Sequence, residues 1–320
     1  MYGDHQQKRT IDKLKRELGQ PILAALNDPD VIEVMANSDL SLWIEKLGRE
    51  PERIGAVNPS AIRAVIGTVA SSLGSIATVE KPIVEGELPL DGSRFAGLLP
   101  PVVSNPSFTI RKKATQIISL DEYAQSGIIS EAQKTLIEEA IINRKNMVVC
   151  GGTGSGKTTL VNAVIDALCS IAPDDRLVII EDTNELQCRA ENKEILRASK
   201  DVSQQDLLKV TLRLRPDRII TGEVRGGEAL TLLKSWNTGH PGGICTLHAN
   251  SAMEALTRLE QMIGEVSGSD MTGFIANTVD LVIFIEKIKD APKRKVTEMM
   301  QVEKKAIKAS VNYSTRFLSN

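Results

Sequence analysis

Apolar residues at the start of the chain recur every three or four positions, a spacing that predicts an amphipathic helix in which Pro21 permits a break. Short apolar runs follow, and proline and glycine residues separate them. Breaks this frequent are typical of a small sheet of short strands. Residues 61–73 form a second helical pattern, so the first third of the chain predicts a mixed α+β domain. The apolar positions of the first helix are Ile11, Leu14, Leu18, Ile22 and Leu26. The predicted strands are residues 31–35, 40–44, 82–88, 94–98 and 107–111.

The pattern changes near residue 115, where continuous apolar runs of strand length begin to alternate with helical patterns. This alternation predicts a parallel sheet with helices on both of its faces. We therefore expect an α/β fold with two domains, residues 1–114 and residues 115–320. The predicted strands of the second domain are 147–150, 176–180, 218–221, 243–247 and 281–285. Its predicted helices are 120–125, 130–143, 157–169, 203–214, 228–236 and 251–263.

The composition is that of an ordinary folded protein. Charged residues make up 25% of the chain and the formal net charge is −2. The chain therefore lacks the excess of basic residues that usually accompanies electrostatic binding to nucleic acid. No apolar run approaches the roughly 18 residues that a membrane span needs, and the N-terminus shows no apolar leader. The four cysteines form no C-x-x-C pair and no zinc spacing. We therefore expect a cytoplasmic protein with reduced cysteines.

A glycine-rich segment joins an apolar strand to the helical pattern that follows it. Gly151–Thr158 fits G-x-x-x-x-G-K-[ST], in which glycines let backbone N–H groups converge on a phosphate at a helix N-terminus. Lys157 can reach the β- and γ-phosphates, and the hydroxyl of Thr158 can bind Mg²⁺. We therefore predict an ATP site in which Lys157 is exposed and faces the ligand. The predicted nucleotide-binding residues are Gly152, Thr153, Gly154, Ser155, Gly156, Lys157, Thr158 and Thr159.

Acidic residues follow two of the predicted strands. Glu181 and Asp182 end one strand, with Glu185 close behind them. Glu223 ends another strand. Ligands of an open parallel sheet bind beyond the carboxyl ends of its strands, so these acids are predicted to lie beside the nucleotide. One acid can hold Mg²⁺, directly or through water, and another can orient the attacking water.

Two histidines flank the predicted strand 243–247. His248 comes at the end of that strand, where its imidazole could contact a γ-phosphate through a hydrogen bond. His240 lies on a Gly/Pro loop before the strand, and its role stays open between a structural and a functional one. We therefore take His248 as a candidate catalytic residue.

Four blocks of sequence resemble, in order, the Walker A motif, Asp box, Walker B motif and His box of the secretion ATPase superfamily. Within that superfamily the chain most resembles the TrbB-type conjugal transfer ATPases of type IV secretion systems. Related pilus-assembly and type II secretion ATPases commonly carry a tetracysteine zinc element, which the spacing of the cysteines here does not allow. The four blocks are Gly151–Thr159, Ile179–Leu186, Arg215–Gly226 and Thr238–Asn250. Two N-terminal segments also match, Leu26–Met35 and Asp91–Val102.

The resemblance implies a RecA-like P-loop ATPase domain behind a smaller α+β domain, with nucleotide held between the two and with six chains in a ring. It implies that Glu185 is the general base and that Glu223 supports the metal. It also implies that Arg94 and Arg111 approach the phosphates, and guanidinium groups suit that role because they stabilise charge on a transferring phosphoryl group. Together with the residue arguments above, the predicted catalytic residues are Glu185, Glu223, Lys157, Arg94, Arg111 and His248. The predicted Mg²⁺ ligands are Thr158, Glu223 and Glu181.

The function that these features favour is that of an ATP-hydrolysing hexameric motor for type IV secretion or conjugative transfer. We expect ATP and Mg²⁺ as ligands, inner-membrane components of the transfer apparatus as partners, and peripheral attachment at the cytoplasmic face of the inner membrane. Direct binding to nucleic acid is not expected. The alternatives are a type II secretion or type IV pilus ATPase, a nucleic-acid-dependent RecA-like motor, and a nucleotide switch without enzymatic activity.

Overall fold

The computed structural model describes residues 2–46, 48–113, 117–199, 201–303 and 314–317. The chain divides into two compact units, Met1–Thr115 and Gln116–Asn320. The predicted domain boundary between residues 114 and 115 lies outside the described residues. Within the described ranges, no helix is both long enough and apolar enough to cross a membrane.

The N-terminal unit packs two helices against a sheet of six strands. The apolar face of the sheet, which includes Val34, Phe95 and Ile110, forms one core with Leu14 and Ile62 of the helices. The elements are α1 (Tyr2–Asn27), β1 (Val31–Ala36), β2 (Ser41–Lys46), β3 (Glu52–Ala56), α2 (Pro59–Ser72), β4 (Ile83–Glu87), β5 (Arg94–Leu98) and β6 (Ser107–Arg111). The strand order is β3-β2-β1-β6-β5-β4, and every neighbouring pair is antiparallel. The predicted small sheet of short strands is therefore present.

Two details of this unit differ from the prediction. The break in α1 lies at Gly19, whose φ of 73° and ψ of 167° are not helical, rather than at Pro21. Glycine has no Cβ and adopts this φ without steric strain. Strand β3 was not predicted, because all five of its residues are exposed and it lacks the apolar alternation that marks a half-buried strand.

The C-terminal unit is built on an eight-stranded sheet with helices on both faces. Its elements are α3 (Leu120–Gln125), α4 (Glu131–Ile142), β7 (Met147–Cys150), α5 (Lys157–Ile171), β8 (Leu177–Glu181), β9 (Lys193–Arg197), α6 (Gln204–Thr211), β10 (Arg218–Thr221), α7 (Glu228–Asn237), β11 (Ile244–Leu247), α8 (Ala252–Gly264), α9 (Thr272–Thr278), β12 (Leu281–Lys287), β13 (Arg294–Glu303) and β14 (Ser314–Phe317). The strand order is β14-β13-β12-β7-β11-β10-β8-β9. Strands β7 to β12 pair in parallel, whereas β13 and β14 add antiparallel strands beside β12.

Successive residues of the central strand β7 face opposite cores. Met147 and Val149 belong to the core that α3, α4 and α5 cover, and Val148 and Cys150 belong to the core under α7, α8 and α9. All four residues are fully buried, as continuous apolar strands of a sheet covered on both faces should be. The predicted two-sided packing is therefore present. The carboxyl end of β7 lies at the end of the sheet, where the loop that follows can reach solvent.

A buried ion pair lies at the opposite end of this sheet, where strand β10 begins. Arg218, at the start of β10, is 2% exposed, and its Nε donates a hydrogen bond to Asp175 Oδ2 at 2.6 Å. Its Nη2 donates to the carbonyl of Ile141 at 3.0 Å. Arg144 pairs with the other oxygen of Asp175 from a more exposed position. Burial lowers the pKa of Arg218 even though Asp175 opposes the shift, so this guanidinium depends on its carboxylate partner.

Candidate functional site

The glycine-rich loop between β7 and α5 turns sharply enough to exclude larger side chains. A Cβ on Gly151 would lie 2.1 Å from the carbonyl oxygen of Ile285 on the neighbouring strand β12, so no other residue fits there without displacing the backbone. Gly156 has a φ of 102° and forms the N-cap of α5, a conformation that a residue with a Cβ rarely adopts. The loop therefore brings its backbone N–H groups round to the start of a helix, the arrangement that binds phosphate.

Lys157 lies inside this loop. Its Nζ donates hydrogen bonds to the carbonyls of Gly151 at 2.9 Å and Gly152 at 3.0 Å. The side chain is 8% exposed, so the expectation that it would be exposed is wrong. The loop folds round the ammonium group because an unpaired charge in such a position would be costly, and the two carbonyls partly neutralise it. Lys157 is therefore held close to the place where a phosphate would enter the loop.

Glu181 anchors the segment that carries Glu185. Its side chain is 2% exposed, and its Oε2 accepts hydrogen bonds from the backbone N–H groups of Glu185 and Leu186, both at 2.9 Å. A carboxylate that accepts two backbone hydrogen bonds fixes the direction of the chain after β8. These contacts make Glu181 a positioning residue for Glu185, and its predicted role as a Mg²⁺ ligand stays a prediction.

The side chain of Glu185 meets the first turn of α5. Its Oε2 accepts a hydrogen bond from the hydroxyl of Thr158 at 3.2 Å, and its Oε1 accepts one from Thr183 at 3.3 Å. Asn162, one turn further along α5, donates to the Glu185 carbonyl at 3.1 Å and accepts from the N–H of Gln187 at 2.9 Å. The structure therefore brings the predicted base and the predicted Mg²⁺-binding hydroxyl together.

Glu223 and His248 meet across neighbouring strands. His248 Nε2 lies 2.8 Å from Glu223 Oε1, and His248 Nδ1 lies 3.3 Å from the Nζ of Lys157. Nδ1 faces the ammonium group and can accept from it when the proton of the neutral imidazole is on Nε2. Within the described residues, the short contact of Nε2 with Glu223 does not have hydrogen-bond geometry. Arg225 binds the other oxygen of Glu223 through its Nη2 at 2.6 Å and its Nε at 3.0 Å, and this raises the pKa of Arg225. His248 thus connects the glycine-rich loop to the acid after β10.

His240 lies away from this network. It precedes β11, at the edge of the sheet opposite to the loop, and its Nδ1 lies 2.9 Å from the carbonyl oxygen of Pro216. That carbonyl belongs to the segment that leads into β10. The contact supports the structural interpretation of His240 that the sequence left open.

Arg94 and Arg111 are neighbours in the N-terminal unit. They face each other across the antiparallel pair β5–β6, while Arg94 is opposite Glu87 on β4 and Arg111 is opposite Glu33 on β1. Residues directly opposite each other in a sheet project from the same face, so these four side chains form a charged row across the sheet. The structure therefore places the two predicted arginines together, and their contact with phosphate stays a prediction.

Two basic residues that the sequence interpretation missed lie beside the glycine-rich loop. A Cβ on Gly154 would lie 3.2 Å from the Nζ of Lys287, and one on Gly156 would lie 3.3 Å from the Cδ of Arg294. Lys287 and Arg294 face each other across β12 and β13. Neither forms an ion pair with a carboxylate in the part of the chain that the structure describes. The only sequence signal is a basic cluster between two apolar runs, which is more often a solvated turn.

The oxygen donors of the site fit a magnesium ion that arrives with a nucleotide. In the described ranges, no three His, Cys, Asp or Glu side chains are grouped so that they could hold a metal ion by themselves. The hydroxyl of Thr158 and the carboxylate of Glu185 do lie within hydrogen-bonding distance of each other. Mg²⁺ is usually bound through one or two protein oxygens together with phosphate oxygens and water. A site with few protein donors beside a phosphate loop matches that habit.

Comparison with known proteins gives consistent matches along most of the chain. The sequence matches the family described as "Type II/IV secretion system protein" over residues 19–316. It is 52% identical over 295 residues to the conjugal transfer protein TrbB of Rhizobium radiobacter, covering 92% of this chain and 91% of that protein. It is 29% identical over 328 residues to the type IV secretion system protein VirB11 of Bartonella henselae, covering 88% of this chain and 90% of that protein.

Among solved structures, the pilus retraction motor PilT with bound ADP matches with a TM-score of 0.63 and 18% sequence identity, over 87% of this chain and 80% of that chain. At this identity the likeness concerns the fold. It confirms the predicted fold class, an α/β chain with a RecA-like P-loop part and a smaller α+β part.

Proposed function

Because this chain belongs to the family of type II/IV secretion system proteins, we propose that it is an ATPase that energises type IV secretion or conjugative transfer. One observation carries the proposal: residues from four separate segments form a single contact network at the carboxyl edge of the sheet. A glycine-rich loop with a buried lysine binds phosphate, and two acids supply the groups that hydrolysis needs, Glu185 by direct contact and Glu223 through His248. The residues of the network are Lys157, Thr158, Glu185, Glu223 and His248.

The loop binds the phosphates of ATP. Its backbone N–H groups and the N-terminus of α5 attract the anion, and Lys157 exchanges the carbonyls of Gly151 and Gly152 for phosphate oxygens. Thr158 is the first residue to hold Mg²⁺, with Glu223 and Glu181 as further candidates. When bound, Mg²⁺ neutralises charge on the phosphates. Thr158 would bind the metal through a lone pair of its hydroxyl oxygen, while its proton can stay directed at the carboxylate of Glu185.

Glu185 acts on the attacking water. Its carboxylate lies at the start of α5, and Glu181 holds its backbone in place. Each oxygen of this carboxylate has a further lone pair, so it can accept a hydrogen bond from water and then its proton, as a general base does. Glu223 is already bound by Arg225 and His248, so it has less freedom to take a proton. We therefore assign the base to Glu185 and the support of metal and histidine to Glu223.

The contacts of His248 depend on whether a phosphate occupies the site. Its imidazole touches Lys157 on one side and Glu223 on the other. When Lys157 turns to a phosphate, Nδ1 of His248 loses this contact, and an imidazole that carries its proton on Nδ1 can donate a hydrogen bond to an oxygen of the γ-phosphate. Arg94 and Arg111 complete the assignment, because two adjacent guanidinium groups can stabilise the charge of a transferring phosphoryl group.

The biological setting follows from the relatives. The relative from Rhizobium radiobacter is named for conjugal transfer, and the one from Bartonella henselae for a type IV secretion system. We extend that setting to this chain as a hexamer that works in the cytoplasm, attached peripherally to the inner membrane through components of the transfer apparatus. A net charge of −2 gives no support to direct binding of nucleic acid.

The test is phosphate release by the purified chain with ATP, with and without Mg²⁺ and DNA. We expect release that requires Mg²⁺, does not respond to single- or double-stranded DNA, and falls at least about a hundredfold in a folded Lys157→Ala variant. Strong stimulation by DNA would favour the alternative of a nucleic-acid motor. Nucleotide binding without Mg²⁺-dependent release would favour a switch without enzymatic activity.

A further inference from the structure

Two cysteines of the C-terminal unit lie next to each other. The Sγ atoms of Cys169 on α5 and Cys188 on the segment after β8 are 3.8 Å apart, and the two residues are 19 positions apart in the chain. Cys169 is 9% exposed and Cys188 is partly exposed. A small oxidant in solvent can therefore reach this pair from the side of Cys188.

Contacts of neighbouring residues hold the two cysteines close together. Arg189 forms an ion pair with Asp166 at 2.7 Å (Nε to Oδ1) and donates a hydrogen bond to the hydroxyl of Ser170 at 3.0 Å. Asp166 and Ser170 lie on α5 on either side of Cys169 in the sequence. The contacts hold the backbone of residue 188 against the helix, so the two sulfur atoms stay close without a bond between them.

The two thiols of the pair differ in acidity. The pKa of Cys169 lies below its ordinary value because Cys188 donates a hydrogen bond to its sulfur, and the backbone N–H groups of Arg189 and Ala190 also face it. The pKa of Cys188 is raised, first because it is the donor to Cys169 and then because of burial. The thiolate is the reactive form of cysteine, so Cys169 is the nucleophile of the pair.

The other two cysteines provide an internal comparison. Cys150 and Cys245 are both 0% exposed. Burial raises the pKa of Cys150 to about 12 and raises that of Cys245 further. Buried thiols of this kind are inert towards oxidants in solution. The chain thus has one pair of adjacent thiols that solvent can reach and two fully buried thiols.

We propose that Cys169 and Cys188 form an oxidation site at which a peroxide converts the two thiols into a disulfide. The thiolate of Cys169 attacks one oxygen of hydrogen peroxide, the O–O bond breaks, and Cys169 becomes a sulfenic acid while hydroxide leaves and takes a proton. The sulfur of Cys188 then attacks the sulfur of Cys169, the S–OH bond breaks, and a second water forms with the Cys188 proton. Two thiols lose two electrons in total, and one peroxide becomes two waters.

The disulfide acts on the segment that carries Glu185. It ties residue 188 to α5 with a covalent bond, three residues beyond Glu185, and the sulfur atoms must approach from 3.8 Å to the roughly 2 Å of a disulfide. A tether there limits the movement of Glu185 relative to Thr158 and the first turn of α5. This consequence rests on the proposed ATPase activity, whereas the formation of the disulfide does not.

The experiment treats the reduced full-length protein with hydrogen peroxide, removes the oxidant with catalase, and counts reactive thiols after unfolding. We expect two of the four thiols to be lost, one cross-linked peptide pair that contains Cys169 and Cys188, and no link between chains. Cys169→Ser should keep all three of its thiols, Cys188→Ser should form a sulfenic acid at Cys169 but no disulfide, and the matched control Cys245→Ala should lose two of its three. The two serine variants are independent, so a folding failure of one leaves the other as the test.

Three results would overturn the proposal: four reactive thiols after treatment, a sulfinic acid at Cys169 with Cys188 still reduced, or a disulfide between two chains. In the same samples we expect oxidation to lower phosphate release several-fold and dithiothreitol to restore it. Turnover that is unchanged by a formed disulfide would overturn the effect on Glu185. A preparation that forms the disulfide but never hydrolyses ATP would contradict the proposed function and leave the oxidation site standing.

Discussion

His248 and Glu223 lie 2.8 Å apart, from Nε2 to Oε1, although they follow different strands of the sheet. Their strands β11 and β10 are parallel neighbours, so the carboxyl ends of both reach the same edge. Two motifs that are separate in the sequence therefore form one unit beside the glycine-rich loop. Arg225 binds Glu223 through two nitrogen atoms, whereas the carboxylate of Glu185 is bound mainly to hydroxyl groups that a ligand can take over.

The first prediction assigns the base. Glu185→Gln keeps the shape and the hydrogen bond to Thr158 but cannot accept a proton, so we expect turnover to fall by about two to four orders of magnitude with ATP affinity largely kept. Steady-state phosphate release and equilibrium binding of a fluorescent ATP analogue measure the two quantities. The same measurements on Glu223→Gln are the control. Near-normal turnover in Glu185→Gln together with loss in Glu223→Gln would place the base on β10.

The second prediction separates positioning from metal binding at Glu181. The amide oxygen of Glu181→Gln can still accept the two backbone hydrogen bonds from Glu185 and Leu186, so we expect turnover within about threefold of wild type. Glu181→Ala removes the acceptor, and we expect it to lower turnover at least about tenfold. Activity is measured across a Mg²⁺ titration. A Glu181→Gln variant that needs about tenfold more Mg²⁺ would show that this carboxylate binds the metal.

The third prediction concerns the basic pair beside the loop. The charges of Lys287 and Arg294 lie near Gly154 and Gly156 and attract a polyphosphate, so removing both as Lys287→Gln with Arg294→Gln should raise the KM for ATP about tenfold and change kcat little. The control removes two other positive charges, as Lys209→Gln with Lys234→Gln. Initial rates over a range of ATP concentrations measure both constants. An unchanged KM would mean that these two positive charges do not attract the nucleotide and affect only the β12–β13 hairpin.

The fourth prediction tests the buried ion pair at the far edge of the sheet. Asp175→Ala leaves the guanidinium of Arg218 buried without its carboxylate, and we expect the free energy of unfolding to fall by about 3–5 kcal/mol. Arg144→Gln is the matched control, because that side chain is 41% exposed and its loss should cost about 1 kcal/mol or less. Urea unfolding followed by Trp236 fluorescence in a Trp43→Phe background measures both. Equal costs for the two variants would contradict this account.

The fifth prediction tests the proposed ring. If subunits act in turn, each Lys157→Ala subunit also stalls a neighbour, so activity should fall faster than the fraction of wild-type protein in mixtures that exchange subunits. Native mass measurement with ATP and Mg²⁺ should show six chains. Activity in strict proportion to the wild-type fraction would argue against coupled subunits, and a monomer at micromolar concentration would argue against the ring.

Regular alternation made most of the C-terminal sheet predictable. Strand β10 was predicted with the observed bounds because β-branched residues fill three of its four positions, between Arg218 and Gly222. Strand β13 was not predicted, since its register against β12 shifts between Phe284 and Ile285 and the shift interrupts the alternation of buried positions. Its methionine, lysine and glutamate residues also favour a helix over a strand.

Motifs predicted both the family and a phosphate site, and the comparisons confirm the family. Contacts between motifs could not be predicted, because they depend on strand order. The position of Lys287 beside Gly154 requires β12 to lie next to β7, although more than a hundred residues separate them in the sequence. The burial of Lys157 was missed for the same reason, since the carbonyls and the imidazole around it come from the folded loop and from β11.

The contacts along α5 have a consequence for how this region can vary in length. Positions 158, 162, 166 and 170 of the helix each bind the 185–189 segment, one contact for about every turn. The segment is thus matched to the pitch of the helix. A single inserted or deleted residue between Glu185 and Arg189 would shift every later residue of the segment away from its partner on α5. We expect engineered insertions to be accepted at the exposed bends near residues 268 and 290 and rejected here, whatever residue is inserted.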